Sequence, residues 1–382
     1  MNYDSAVFSI LFYLFCPFGV IASRSFQSDG MMVSCLVIAL YFIIRYYKDS
    51  TSNNLILASI ASSLAVYIKA PAIFFVFFSF LSLSLWKQGL KRSCFLVHNY
   101  IFILFILILG AGHYWYGLLT GGDILETAKI SIIEVSIFNL GVLASWLAQT
   151  NFVIGFIPLF ISMISLVFVQ KNISQALSFG LFTGYIIFSI VFSYHISTHD
   201  YYSLPLVPII ALSLGPWCNY IAEQLSKFNN KQFIKNIILS GIIILSIAGG
   251  LLEISVRNYD RHGRWQHHEK TIAREIGKLV NHSAKTLFLS ISEGYPLQYY
   301  GKLAGKQIAY STVAIEKFVK KRTHLDINKS KNPFNIDFIP EYFIVTELLE
   351  YSRRKDLQNY FMNNFPIIAQ NDGYIIYDLR KK

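Results

Sequence analysis

Residues 55–86, LILASIASSLAVYIKAPAIFFVFFSFLSLSLW, decide how the rest of the chain is read. A membrane-spanning helix takes about 17–25 apolar residues, because backbone groups left unpaired in hydrocarbon are not tolerated. This stretch is longer than one ordinary crossing and is interrupted by Lys69, Ala70 and Pro71. The interruption predicts two short helices joined at a membrane surface. One long helix kinked at Pro71 is the alternative, since proline is common in membrane helices.

Seven further apolar runs surround it, at residues 5–22, 30–47, 98–116, 152–169, 176–194, 202–222 and 236–254. With the divided stretch the chain is expected to make about nine crossings. Loop charge supports the division. With the N-terminus in the cytoplasm, the inner loops carry Lys48, Lys87, Lys91, Arg92, Lys171, Lys227, Lys231 and Lys235, whereas the outer loops carry Arg24, Lys69 and Lys129. That bias obeys the positive-inside rule. A single helix over residues 55–86 would put Lys48 and the Lys87–Arg92 cluster on opposite faces. An odd number of crossings places the C-terminus outside.

Composition points the same way. Of 382 residues, 54% are hydrophobic and 14% charged, against roughly 25% charged in a soluble domain, which argues against one soluble globule. Residues 1–256 hold 12 Lys or Arg and 9 Asp or Glu, whereas residues 257–382 hold 21 and 13. The expected division is therefore a transmembrane domain at 1–256 and a water-exposed domain at 257–382. The net charge of +11 falls mostly on the second, which favours anionic lipid or an anionic substrate over nucleic acid as partner. Cys16, Cys35, Cys94 and Cys218 lie in or beside apolar runs and imply neither a disulfide framework nor a thiolate metal site. The N-terminus lacks a basic lead and a small-residue cleavage site, against a removable signal peptide. In the tail, helical spacing over 266–280 and strand-like runs at 286–291, 342–346 and 374–377 predict a small α/β domain, with a Lys/Asn-rich loop at 320–335.

Polar groups near hydrocarbon are costly unless paired or watered, so they mark candidate sites. In this topology they gather at the outer face: Arg24 and Asp29, then Lys69, then His113, Asp123, Glu126, Lys129 and Glu134, then the run from Tyr194 through His195, His199 and Asp200 to Tyr201 and Tyr202. Arginine and lysine there could grip a phosphate-linked lipid, and a carboxylate could take a proton from an incoming hydroxyl. Each has a plainer reading. Arg24 and Lys69 could snorkel to headgroups, Asp29 could cap the helix that follows, Asp123 and Glu126 could belong to a solvated loop, His195 and His199 could be loop residues without a ligand, and the tyrosines could form an interfacial belt. Residues 117–151 contain Glu134, Asn139 and Gln149 among apolar residues, which suits a helix lying on the surface.

Three stretches resemble the bacterial GT-C class of polyprenyl-phosphate-sugar glycosyltransferases, the protein mannosyltransferase-like and lipid A aminoarabinose transferase-like enzymes. They are residues 16–29 with Arg24 and Asp29, the break at Tyr67-Ile68-Lys69-Ala70-Pro71, and the helix entry His199-Asp200-Tyr201-Tyr202-Ser203-Leu204-Pro205-Leu206-Val207-Pro208. The resemblance implies a polytopic all-α GT-C-like bundle with an extracytoplasmic α/β domain, in the cytoplasmic (inner) membrane. It implies transfer of a sugar from a polyprenyl-phosphate donor to a lipid, glycan or protein acceptor. Arg24, Lys69, His199, Tyr201 and Tyr202 would hold the donor, Asp29, Asp123, Glu126 and Asp200 are the candidate catalytic carboxylates, and a divalent cation could assist. Members of the class normally begin with one or two further crossings and an outer loop carrying the acidic base. Residues 1–21 look like a later helix of that scheme, so weak turnover without a further segment or a membrane partner subunit is expected. A non-catalytic membrane subunit or truncated pseudoenzyme and a lipid-linked glycan transporter are the alternatives; a transporter would need repeated halves or broken helices meeting at the midplane.

Overall fold

The computed structural model describes residues 3–25, 27–120, 139–168, 172–225, 231–256, 259–290, 294–308 and 338–380. It forms two compact units, Met1–Arg257 and Asn258–Lys382.

The first unit is helical. Helices α1 (Tyr3–Phe15) and α2 (Pro17–Ala22) replace the single helix expected over residues 5–22. The chain breaks at Cys16 because Pro17 has no N–H to continue the ladder. Helix α3 (Ser28–Lys48) is followed by α4 (Ser52–Ile68) and α5 (Ala72–Ser93). The interruption within residues 55–86 therefore falls where expected. Lys69 is extended, and Ala70, preceding a proline, is steered away from helical geometry. The second helix is not short: it runs for 22 residues and kinks at Gly89, whose φ is 73°.

The run at residues 98–116 is also broken. It comprises α6 (Val97–Phe105), a π-helical turn (Ile106–Gly110) and α7 (Gly112–Thr120), bent by 46°. The Ser63 hydroxyl donates to the Phe105 carbonyl at 3.0 Å, and Gly110 lets the backbone close on α4, since a Cβ there would lie 3.0 Å from the Ser63 carbonyl oxygen. Helices α8 (Leu140–Ile154) and α9 (Phe156–Phe168) meet at a 96° bend at Gly155, where φ is 81°. Residues 121–138 of the expected surface helix lie outside the described residues. Helix α10 (Ile173–Val191), a short α11 (Ser193–Thr198), a 3₁₀ turn (Asp200–Ser203), α12 (Leu206–Leu225) and α13 (Lys231–Val256) complete the unit.

Among the described residues, four helical stretches are long and apolar enough to cross a membrane: Ser28–Lys48, Ala72–Ser93, Ile173–Val191 and Asp200–Cys218. Taking each bent pair as one span gives six, and shorter apolar helices stand at Ser5–Phe15, Ser52–Ile68 and Ile243–Leu252. The unit is thus polytopic and all-α. Its interior packs on small residues. Gly180 and Gly184 of α10 lie against the α5 backbone, where added Cβ atoms would fall 2.5 Å from the Phe78 oxygen and 2.6 Å from the Phe74 oxygen. Ser82 donates to the Ala176 carbonyl across the same seam at 2.6 Å.

The second unit is a five-stranded sheet with helices on both faces. After α14 (Tyr259–Leu279) come β1 (Thr286–Leu289), α15 (Tyr295–Gly301), β2 (Gly305–Gln307), β3 (Tyr342–Val345), α16 (Leu348–Arg353), α17 (Lys355–Asn364), β4 (Ile367–Gln370) and β5 (Ile375–Asp378). The strand order is β2-β1-β3-β5-β4, with β1 parallel to β2 and β3, and β5 antiparallel to β3 and β4. Alternation along β3 sends Phe343 and Val345 to a core with Tyr351, Phe361 and Tyr377, and Tyr342 and Ile344 to a core with Ala273, Ile276 and Leu297. Central strands buried on both faces explain why β1 and β3 read as unbroken apolar runs. The expected helix and three strands are present. Strands β2 and β4 were not expected: β2 is the three residues Gly-Lys-Gln, and β4, Ile-Ile-Ala-Gln, is a short apolar run that is largely exposed. The Lys/Asn-rich stretch at 320–335 lies outside the described residues.

Candidate active site

Two broken helix ends of the first unit meet here. The Lys69-Ala70-Pro71 break is pinned by α7, since the Ala70 N–H donates to the Tyr114 hydroxyl at 3.2 Å and that hydroxyl donates to the Tyr67 carbonyl at 3.3 Å. The 3₁₀ turn at Asp200–Ser203 is pinned by a buried polar network. The Tyr185 hydroxyl lies 3.1 Å from Ser203 Oγ and 3.3 Å from Thr150 Oγ1, and accepts from Trp146 Nε1 at 3.1 Å. Satisfied networks of this kind fix a single arrangement of the turns they join.

Between these turns sits an ion pair. Lys69 Nζ donates to both carboxylate oxygens of Asp29, at 2.6 and 2.8 Å, with the side chains 19% and 6% exposed. Asp29 is in the first turn of α3, where the helix dipole favours its charge. It is not the helix cap: that position is Gln27, and the carboxylate is committed to Lys69. Nor does it orient Arg24, which is exposed and forms no ion pair among the described residues. Snorkelling is likewise not what Lys69 does. Its ammonium lies 5.0 Å from the Tyr201 ring centre and 4.5 Å from that of Tyr202, a cation–π arrangement.

The aromatic wall continues outward from Tyr202. The His195 ring stacks on it at 5.0 Å, and His199 lies 5.5 Å from His195 and 5.3 Å from Tyr201. Thr198 Oγ1 bonds His199 Nδ1 at 2.8 Å. Burial pushes the His195 imidazole down to about 4, with His199 and Lys69 adding in the same direction, so it is neutral at physiological pH. Burial also lowers His199, against the opposing charge of Asp200. Both ring nitrogens of His195 are buried without a hydrogen-bond partner among the described residues. An unmet donor and acceptor each cost about 1–3 kcal/mol.

Of the residues expected at the site, Asp29, Lys69, His199, Tyr201 and Tyr202 are brought together, with Asp200 beside His199. Arg24 takes no part in the cluster. Asp123 and Glu126 lie outside the described residues. His195 stood in the sequence among neighbouring polar residues with nothing to single it out; its burial and stacking do so. No group of three or more His, Cys, Asp or Glu placed to hold a metal ion occurs among the described residues.

Beside the cluster runs an apolar cleft of about 160 Å³, lined by Tyr13, Leu14, Val20, Val33, Leu204 and Val207. It also includes Gly30, next to Asp29, and Ser23, next to Arg24. The cleft is lined by chain neighbours of the cluster and not by its members, and its apolar lining suits a hydrocarbon chain.

The first unit is a polytopic helical bundle with polar residues at broken helix ends, and a small α/β unit follows it in the chain. Residues 1–116 match the model of the family described as dolichyl-phosphate-mannose-protein mannosyltransferase. The chain is similar in fold to the crystal structure of ArnT from Cupriavidus metallidurans bound to undecaprenyl phosphate, with 13% identity over 98% of this chain and 78% of that one, and a TM-score of 0.55. A comparison with curated proteins finds no match. The matched segment contains Arg24, Asp29 and Lys69; the histidine–tyrosine stretch lies beyond it and meets Asp29 and Lys69 only in space.

Proposed function

We propose that the chain is a membrane glycosyltransferase that uses a polyprenyl-phosphate sugar and transfers the sugar to a lipid, glycan or protein acceptor at the outer face of the cytoplasmic membrane. The observation carrying this is the Asp29–Lys69 pair under the Tyr201–Tyr202 wall, at the edge of an apolar cleft. The isoprenoid chain lies in the cleft. The phosphate meets Lys69, whose ammonium is held in place by Asp29, and Arg24 is near enough in sequence to close on it from the surface. The acceptor hydroxyl attacks the anomeric carbon, the bond from that carbon to the phosphate oxygen breaks, and polyprenyl phosphate leaves. Asp200, beside His199 at the turn before α12, is the candidate to take the acceptor proton, with Asp29, Asp123 and Glu126 as the other candidates.

The test uses purified full-length chain and a synthetic polyprenyl-phosphate sugar. Donor binding with weak transfer, or weak release of polyprenyl phosphate to water, is expected of the chain alone, and Asp200→Asn is expected to abolish that residual turnover while leaving donor binding within about twofold. Donor binding without turnover in every preparation would favour a non-catalytic subunit.

The topology assigned here has about nine crossings, with the C-terminal unit outside. Cys94 is the exposed cysteine among the four, in the loop assigned to the cytoplasm, whereas Cys16, Cys35 and Cys218 are buried. In intact cells an impermeant maleimide is expected to label Asn281→Cys and to reach Cys94 only after permeabilisation. Labelling of Cys94 from outside would overturn the orientation.

A further inference from the structure

The C-terminal unit carries a basic, aromatic face that the transfer reaction does not use. Helices α14 and α15 pack backbone to backbone: Gly277 meets Gly301, and a Cβ at Gly301 would lie 2.7 Å from the Ala273 carbonyl oxygen. So close a seam brings outward side chains of the two helices onto one surface. Lys270, Arg274 and Lys278 recur every fourth residue along α14, which puts them in one row. The Tyr300 ring of α15 lies beside the first two, 5.5 Å from Lys270 Nζ and 6.0 Å from the Arg274 guanidinium carbon. Tyr299 meets Tyr300 edge-on at 5.0 Å and is 78% exposed.

Lys302 follows Gly301 at the same seam. It ends α15 in the left-handed region, at φ 52° and ψ 41°, where glycine or asparagine is usual. A side chain there costs stability, and this one is exposed, so packing does not explain it. None of Lys270, Arg274, Lys278 and Lys302 forms an ion pair among the described residues. The acidic neighbours on α14 are turned elsewhere: Glu275 accepts from the Tyr374 hydroxyl at 2.7 Å, and Glu269 lines a crevice with Ser290 and Thr346. Four such cations beside exposed tyrosines are complementary to a layer of phosphate groups. Tyrosine settles at headgroup level, and each basic side chain near an anionic surface raises partitioning about fivefold. The chain enters this unit at Asn258 directly from the membrane unit, which keeps headgroups at high effective concentration. A dissolved acidic polymer has no such advantage.

We propose that the α14–α15 face docks on a membrane surface rich in anionic phospholipid, with Lys270, Arg274, Lys278 and Lys302 on the phosphates and Tyr299 and Tyr300 among the headgroups. The proposal does not rest on the transferase reading.

Full-length chain in lipid nanodiscs tests it. On a Cys94→Ser background, which leaves only the buried cysteines, a fluorophore is attached at Tyr299→Cys or, as control, at the exposed Met362→Cys of α17, whose neighbour Phe361 packs on the other face of the sheet. Phosphatidylcholine carrying a headgroup spin label quenches the probe. Replacing part of the remaining phosphatidylcholine by phosphatidylglycerol is expected to raise quenching at position 299 at least about threefold at low salt, to lose that gain at high salt, and to leave position 362 unchanged. Lys270→Glu combined with Arg274→Glu should abolish the gain. Lys302→Gly should weaken it while raising Tm, because glycine relieves the left-handed residue; a variant that merely folds badly would lose both. No response to phosphatidylglycerol, an equal response at both positions, or a response unchanged in either variant would overturn the proposal. So would heparin bound to the chain in phosphatidylcholine discs, lost in the double variant, with no phosphatidylglycerol response, which would give the face to an acidic polymer.

Discussion

Lys69→Met is expected to remove donor binding and to lower sugar transfer by at least about 100-fold, the cost of losing one preorganised charge contact to a reacting group. Methionine keeps the length of the side chain and loses the ammonium. That ammonium has three donors; two are taken by Asp29, leaving the third and the charge for a phosphate. Asp29→Asn acts differently. It leaves a largely buried cation without its counter-charge, and breaking a buried pair costs about 3–5 kcal/mol, less here because Lys69 is 19% exposed. Asp29→Asn should therefore lose thermal stability as well as transfer, whereas Lys69→Met should retain a folded bundle once its partner is also neutralised. The double variant decides between roles. Stability recovered with transfer still absent identifies a phosphate grip; recovery of both would make the pair purely structural and sink the assignment. Tm in detergent, donor affinity and turnover on the four proteins supply the comparison.

The second large effect is expected at the seam between α10 and α5. Gly184→Leu should prevent folding of the bundle, seen as loss of monodisperse protein on extraction, while Gly184→Ala should be destabilised but recoverable. Between α10 and α5 the backbones touch, and even a methyl group at position 184 would fall 2.6 Å from the Phe74 carbonyl oxygen and 3.1 Å from its carbon. Both are backbone atoms, which cannot rotate away. In a bilayer the solvent is as apolar as the side chains, so close packing of small residues carries helix association that the hydrophobic effect carries in water. Gly241, by contrast, has nothing within 4 Å of an added Cβ, and Gly241→Leu should leave the yield unchanged. Equal yields for the two leucine variants would show that the seam is not what holds these helices.

The spacing of Gly180 and Gly184, a small-xxx-small pair inside an apolar run, was readable in the sequence, although which helix it meets was not. The same division runs through the whole chain. The membrane class, the composition step near Arg257, the break at Lys69–Pro71 and the strands β1 and β3 follow from sequence alone, because each depends on local terms: the length of an apolar run, a proline without an N–H, an unbroken apolar strand. The residues that would hold a donor were also legible as types, since charges beside hydrocarbon need a reason. Pairings were not. Asp29 and Lys69 are 40 positions apart, and nothing local says that the aspartate meets this lysine rather than Arg24; the break after α4 and the pinned turn before α12 settle it. His195 became a site residue only through the ring it stacks on. The face that α14 and α15 share likewise depends on Gly277 meeting Gly301, a contact between helices that no run of residues carries. Local chemistry determined what kinds of groups this protein presents, and the packing of broken helices and crossing strands decided which of them meet.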